Sequence, residues 1–176
     1  MRGRSWGFAP VADSLAPLIG DMKCKEKLAD FFRANGVSYQ LMSHATAYTA
    51  QEVAAAQHVS GKQVAKVVIA RADEERNVML VLPASSHIDF ERLRGHLGVK
   101  ALRLAKEEEF SGIFPDCDLG AMPPFGHLYG LPVYVDAELA RNSEVVFQAG
   151  THRDTVKIAY ADFARLALPS VADLAS

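Results

Sequence analysis

At 176 residues, 49% hydrophobic and 23% charged, the chain has the composition of one folded domain with a small appendage, which excludes a largely disordered polypeptide. A net charge of −2 lacks the basic excess of a protein that grips long nucleic acid through many phosphates, so any nucleic-acid partner is expected to be met at its end or through a local patch. No apolar run approaches the ~20 residues of a membrane-spanning helix.

Residues 1–21 read as an N-terminal extension to a domain over 22–176. Gly3, Gly7, Pro10, Pro17 and Gly20 punctuate them, and Pro10, Asp13 and Pro17 interrupt the apolar core that a signal peptide needs. From Lys23 the spacing of Leu28, Phe31 and Phe32 predicts a helix stopped by Gly36, followed by a strand over Val37–Met42. Thr49-Ala-Gln-Glu52 matches a capping box, in which hydroxyl and carboxylate satisfy orphan amides at the start of a short helix. Two strands, Val64–Ala70 and Asn77–Leu82, flank a charged turn. Asp89 caps a helix that presents Phe90, Leu93 and Leu97 on one face and ends at Gly98. A strand over Val99–Leu104 and a short acidic helix over Glu107–Phe114 come next. Gly120–Gly130 is a loop, because Pro123-Pro124 removes two backbone donors and three glycines break any regular element. Strands at Leu131–Val135, Glu144–Gln148 and Thr155–Tyr160 and a helix from Asp162 to Leu168 complete the chain. This order predicts an α+β domain, with a mixed, largely antiparallel sheet and flanking helices.

Lys66 is the most unusual residue. Period-two alternation puts it on the face of Val64 and Val68, while Ala65, Val67 and Ile69 make the other face apolar too, so the strand reads as central. A lysine there either reaches water along its stem or presents its ammonium inside a cleft, where a bound phosphate would hold it charged. Gly120-Ala-Met-Pro-Pro-Phe-Gly126 is a rigid loop with accessible main-chain atoms, suited either to a structural turn or to gripping a small polar group. Gly150-Thr-His-Arg-Asp154 is a polar loop whose His152 can exchange a proton near neutrality. The other histidines lack metal-ligand spacing, neither a nucleophile elbow nor a P-loop occurs, and Cys24 and Cys117 make neither a thiolate cluster nor a disulfide framework, as suits a reducing cytoplasm.

Taken in order, His44-Ala-Thr-Ala-Tyr-Thr-Ala-Gln-Glu-Val53, Val64-Ala-Lys-Val-Val68, Gly120-Ala-Met-Pro-Pro-Phe-Gly126 and Ala149-Gly-Thr-His152 resemble the YbaK/ProX family of aminoacyl-tRNA deacylases, whose domain is also inserted in many bacterial prolyl-tRNA synthetases. The resemblance implies that fold and a trans-editing hydrolase that cleaves the ester between a wrong, small amino acid and the tRNA 3′ end. It implies that Lys66 contacts the terminal nucleotide, and that the backbone of Gly120–Pro124 positions the aminoacyl group and the attacking water. His152 falls where some members carry a histidine beside the substrate. Lys66, Gly120 and His152 are therefore the expected catalytic set. Tyr48, Val67, Ala121, Met122, Pro123, Pro124, Phe125 and Gly150 are the expected substrate-binding set. Val67 departs from the Asn or Thr that relatives often carry there, so their substrate choice does not transfer. The expected partners are the tRNA acceptor end and, secondarily, an aminoacyl-tRNA synthetase, with no membrane. Neither metal nor cofactor is needed, because an ester is already activated and fixed donors with one ammonium suffice. The competing expectation is a catalytically weak module that binds tRNA ends, nucleotides or a synthetase in the same cleft.

Overall fold

The computed structural model describes residues 23–176, so the expected extension over 1–21 lies outside the described residues. Helix α1 (Cys24–Ala34) buries Cys24, Leu28 and Phe32 along one stripe. It ends where Gly36 takes φ +65°, a conformation that costs a glycine little. Strand β1 (Tyr39–Ser43) leads to α2 (Ala50–Ala56). The expected capping box is present there: Glu52 N–H donates to Thr49 Oγ1 at 3.1 Å, and the Glu52 carboxylate accepts from the amides of Tyr48 and Thr49 at 2.8 and 2.9 Å. Those amides hold the Glu52 carboxyl below the usual carboxylate range.

Strands β2 (Ala65–Ala72) and β3 (Arg76–Pro83) form an antiparallel hairpin. Helix α3 (Phe90–Leu97) is capped by the Asp89 side chain, which accepts from Arg92 N–H at 3.0 Å, and ends at Gly98 with φ +63°. Strand β4 is shorter than expected, only Leu102–Leu104. The Asp73 carboxylate accepts the amides of Lys100 and Ala101 at 2.8 and 2.9 Å, which diverts that backbone from a ladder. Helix α4 (Glu107–Phe110) continues as a 3₁₀ turn over Ser111–Ile113, and the Gly120–Gly130 loop itself holds a 3₁₀ turn over Gly126–Tyr129. The chain then runs through β5 (Val133–Asp136), β6 (Glu144–Gln148), β7 (Asp154–Ala159), α5 (Tyr160–Ala167) and β8 (Ser170–Ala172). The last of these strands follows Pro169 and was not anticipated.

The strands divide into two sheets. β1-β7-β6 is antiparallel throughout. In β4-β2-β3-β5-β8 the first three strands are antiparallel and the last two add in parallel. A parallel bridge between Val64 and Val146 joins the sheets, with Val146 N–H donating to Gln63 O at 3.1 Å and Ala84 N–H to Val64 O at 2.8 Å. The main core lies between the sheets and centres on Phe125. The rings of Phe31, Phe32, Phe147 and Phe163 surround it with centroids 5.5–5.7 Å away, each packed edge-on as aromatic quadrupoles prefer. Two smaller apolar clusters flank this core, one around Val53, Val64 and Val146, the other around Leu80, Leu93 and Leu174.

Candidate active site

Three chain segments meet at the candidate site, and main-chain hydrogen bonds fix them to one another. Gly150 N–H donates to Ala121 O at 2.9 Å, while Asp118 N–H donates to Gly150 O at 2.8 Å, so the proline loop and the 150–154 loop are laced together. Gly150 has φ +89°, and a Cβ there would lie 2.3 Å from Cys24 Cβ, so only glycine fits between α1 and the proline loop. The 150–154 loop is tied in turn to the segment before α2. Ala47 N–H donates to His152 O at 2.8 Å, His44 N–H to Arg153 O at 2.9 Å, and Arg153 Nε–H to Thr46 Oγ1 at 2.9 Å.

Asp154 anchors this assembly, and sequence reasoning passed it over for its neighbour His152. Its carboxylate accepts from the Ser43 hydroxyl at 2.8 Å, the Thr151 hydroxyl at 2.9 Å and the Lys25 ammonium at 3.3 Å, joining β1, the loop and α1. Burial pushes its carboxyl up, but those three donors outweigh burial and hold it below the usual range. The only sequence signal was an acidic residue closing a Gly-Thr-His-Arg-Asp loop, which does not reveal partners on β1 and α1.

Of the expected catalytic set, Gly120 and His152 are brought together. Gly120 has φ +85°, and a side chain on it would begin 3.6 Å from His152 Cε1. The imidazole packs against Tyr48 with ring centroids 4.8 Å apart, and its Nδ1 is buried with no hydrogen-bond partner among the described residues. Tyr48 itself is 68% exposed, so the ring pair lies open to an incoming molecule. Among the described residues the Gly120 amide donates only to Met122 Sδ, at 3.2 Å. A thioether is a weak acceptor, so an oxygen presented there makes the better bond.

Lys66 occupies β2 on the face of Val64 and Val68, as the alternation predicts, and β2 is hydrogen-bonded on both sides, to β3 and β4. Its ammonium donates to the main-chain oxygen of Ser86, just beyond β3, and makes no described hydrogen bond to Tyr48, Gly120 or His152. Partial burial lowers the lysine's affinity for its proton. Val67 turns to the opposite face and packs on the main core together with Met122 and Phe125. Ala121, Met122, Pro123 and Pro124 are buried, and Phe125 is fully enclosed as the hub of the aromatic core. The proline loop therefore meets the site through its Gly120 end.

A cavity of ≈ 570 Å³ opens beside these loops, lined in part by Cys24, Asp116, Cys117, Gly150 and Asp154. It contains none of Tyr48, Lys66, Gly120 or His152. The fold brings the glycine-held loops together at one edge of the domain, and a half-buried lysine lies on its central strand. The aminoacyl-tRNA editing domain model matches residues 44–166, and the chain belongs to that family, in its YbaK/ProX branch. It is an aminoacyl-tRNA deacylase. Among curated relatives, the multifunctional Ser/Thr-tRNA deacylase ProXp-y of Escherichia coli is 25% identical over 150 residues, covering 83% of this chain and 89% of that protein. The same fold occurs in a crystal structure provisionally assigned as a trans-editing enzyme for prolyl tRNA synthetase (TM-score 0.75, 23% identity, 88% of this chain and 98% of that one). It occurs also in a hypothetical protein of known structure (TM-score 0.77, 20% identity, 86% and 100%). No helix among the described residues is long and apolar enough to cross a membrane.

Proposed function

We propose that the chain hydrolyses the ester of tRNA carrying a small non-cognate amino acid, with Lys66, Gly120 and His152 as its working groups. The carrying observation is the proximity of His152, whose buried Nδ1 has no partner among the described residues, to Gly120 and its weakly engaged amide. In this reading Lys66 exchanges the Ser86 oxygen for the phosphate of the terminal nucleotide, which restores the proton affinity that burial weakens. The Gly120 amide donates to the oxygen that becomes negative as water adds to the ester carbonyl. His152 takes the proton of that water and passes it to the ribose oxygen as collapse of the tetrahedral species breaks the C–O bond, leaving the free amino acid and the tRNA hydroxyl.

In this reading discrimination is by size, with small side chains accepted at the Gly120 end of the loop and larger ones excluded. The Ser/Thr specificity in the name of the Escherichia coli relative supports this class. The tRNA acceptor end is the partner, an aminoacyl-tRNA synthetase meets the chain over the tRNA they share, and the cytoplasm is where that tRNA is found.

The test is deacylation of seryl-, threonyl-, alanyl- and 2-aminobutyryl-tRNA at enzyme far below substrate, with Lys66→Ala alongside. Losing one charge-assisted contact removes ~1.5–3 kcal/mol, so kcat/KM should fall about 10- to 150-fold with the fold unchanged. A Lys66→Ala protein as active as the parent refutes the site. Stoichiometric protection of the ester without turnover refutes the enzyme.

A further inference from the structure

The two cysteines lie far apart in sequence yet share one pocket wall. Cys24 opens α1 and Cys117 lies three residues before Gly120, and the Cys24 amide donates to Asp116 O at 3.2 Å, which clamps the two backbones side by side. Both sulfurs rest on the Tyr129 hydroxyl, Cys24 Sγ at 3.6 Å and Cys117 Sγ at 3.3 Å, and that hydroxyl donates to the Asp116 carboxylate at 3.2 Å. The two sulfurs and a carboxylate oxygen of Asp116 all fall within 4.8 Å of one another. Lys27 closes the group, its ammonium 3.7 Å from Asp116 and 4.4 Å above the Tyr129 ring. Both thiols line the ≈ 570 Å³ cavity, which is ample for a small oxidant.

The two thiols are not equivalent. Contact with the Cys117 sulfur and the Tyr129 hydroxyl, with Lys27 nearby, draws the Cys24 thiol below its ordinary value despite its burial. Cys117 is pushed the other way by its contact with Cys24 and by burial, and its S–H donates to Asp116 Oδ1 at 3.7 Å. A thiolate-leaning sulfur beside a protonated one is the division of labour between an attacking and a resolving cysteine.

We propose that Cys24 and Cys117 form a thiol-oxidation site that takes hydrogen peroxide and closes to an intrachain disulfide. The Cys24 thiolate attacks one peroxide oxygen, so an S–O bond forms and the O–O bond breaks; the second oxygen leaves as hydroxide and collects a proton. The Cys117 sulfur, giving up its proton, then attacks Cys24 Sγ, so the S–S bond forms and the S–O bond breaks, releasing water. Two thiols lose two electrons and two protons, and the peroxide becomes two waters. The bond would fasten the start of α1 to the segment entering Gly120, directly against Gly150.

The full-length chain, reduced and then titrated with hydrogen peroxide, should lose two hydrogens in intact mass and yield one Cys24–Cys117 crosslinked peptide without reductant. In Cys117→Ser the oxidation should stop at a dimedone-trapped sulfenic acid on Cys24. In Cys24→Ser, dimedone labelling of Cys117 should be lost under the same conditions. Should either variant fail to fold by circular dichroism, limited iodoacetamide labelling of the parent decides, with Cys24 alkylated ahead of Cys117. The proposal is overturned by sulfenic acid appearing first on Cys117, by crosslinks only between chains, by two unreactive thiols in the folded protein, or by one bound equivalent of zinc that shields both.

Discussion

Replacing Asp154 by alanine tests whether one buried carboxylate holds the catalytic loop. Its side chain is 12% exposed and takes hydroxyl hydrogen bonds from Ser43 and Thr151 at 2.8 and 2.9 Å. Hydrogen bonds to a charged group contribute ~1.5–3 kcal/mol each. The Lys25 partner is 41% exposed, so its ion pair adds at most ~1 kcal/mol after screening. Hydroxyls freed by the mutation recover some of this from water, which leaves a loss of about 2–4 kcal/mol, or about 5–15 °C in Tm for a domain of this size. The sign of the pH dependence follows from the depressed carboxyl. Its contribution is complete at neutral pH, above the unfolded-state value, and fades as pH falls through the acid range where the folded carboxyl takes up its proton. Urea unfolding of parent and Asp154→Ala at several pH values from 7 to 3 measures both effects. A gap below ~0.5 kcal/mol, or one that stays constant across that range, refutes the argument.

Three further outcomes are expected. Gly150→Ala should cost more than ~3 kcal/mol, because its Cβ would meet Cys24 Cβ at 2.3 Å in a left-handed conformation; Cys24→Ala should not rescue it in urea melts, since that Cβ remains. Phe125→Ala should cost ~3–5 kcal/mol as a core deletion, read by calorimetry, whereas a pocket-wall role would change substrate choice with little loss of stability. Arg103 holds the Glu109 carboxyl at about 2, so the pair contributes stability above the ordinary glutamate range and loses it as pH falls toward 2; Arg103→Ala should raise the midpoint pH of acid unfolding followed by circular dichroism.

Local signals carried most of the fold. The Thr49 box, the Asp89 cap and the glycine stops at Gly36 and Gly98 each depend on residues within one turn, and all are found where the sequence puts them. The alternation around Lys66 likewise reports a strand with two apolar faces, because a side-chain period of two is a property of the strand itself. What was not legible depends on distant partners. The mixed, largely antiparallel pairing with flanking helices is as expected, but its division into two sheets joined at the Val64–Val146 bridge is encoded by no periodicity. Strand β8 is three residues long and exists by pairing in parallel with β5, a contact that its own composition does not signal.

The site shows the same boundary at finer scale. Residue type singled out Lys66, His152 and the glycine-proline loop, since a lysine in an apolar strand and a loop of paired prolines are odd wherever they lie. Which side of the loop faces the substrate was not encoded so openly. Phe125 looked like a pocket wall because it adjoins the motif, yet a loop running Ala121–Gly126 through the interior must spend its largest side chain on the core, and Phe125 fills the space among four other rings. Burying the loop's apolar residues is also what fixes Gly120 at its edge, where only main-chain atoms are left to meet a ligand. Asp154 drew no separate reading, and the sequence argues against a Cys24–Cys117 cluster, for the complementary reason: each is an ordinary residue whose meaning lies in partners on other elements. Rigid placement of the proposed catalytic groups therefore comes from side chains that carry no signature of catalysis, so mutating the supports should damage function as surely as mutating the groups they hold.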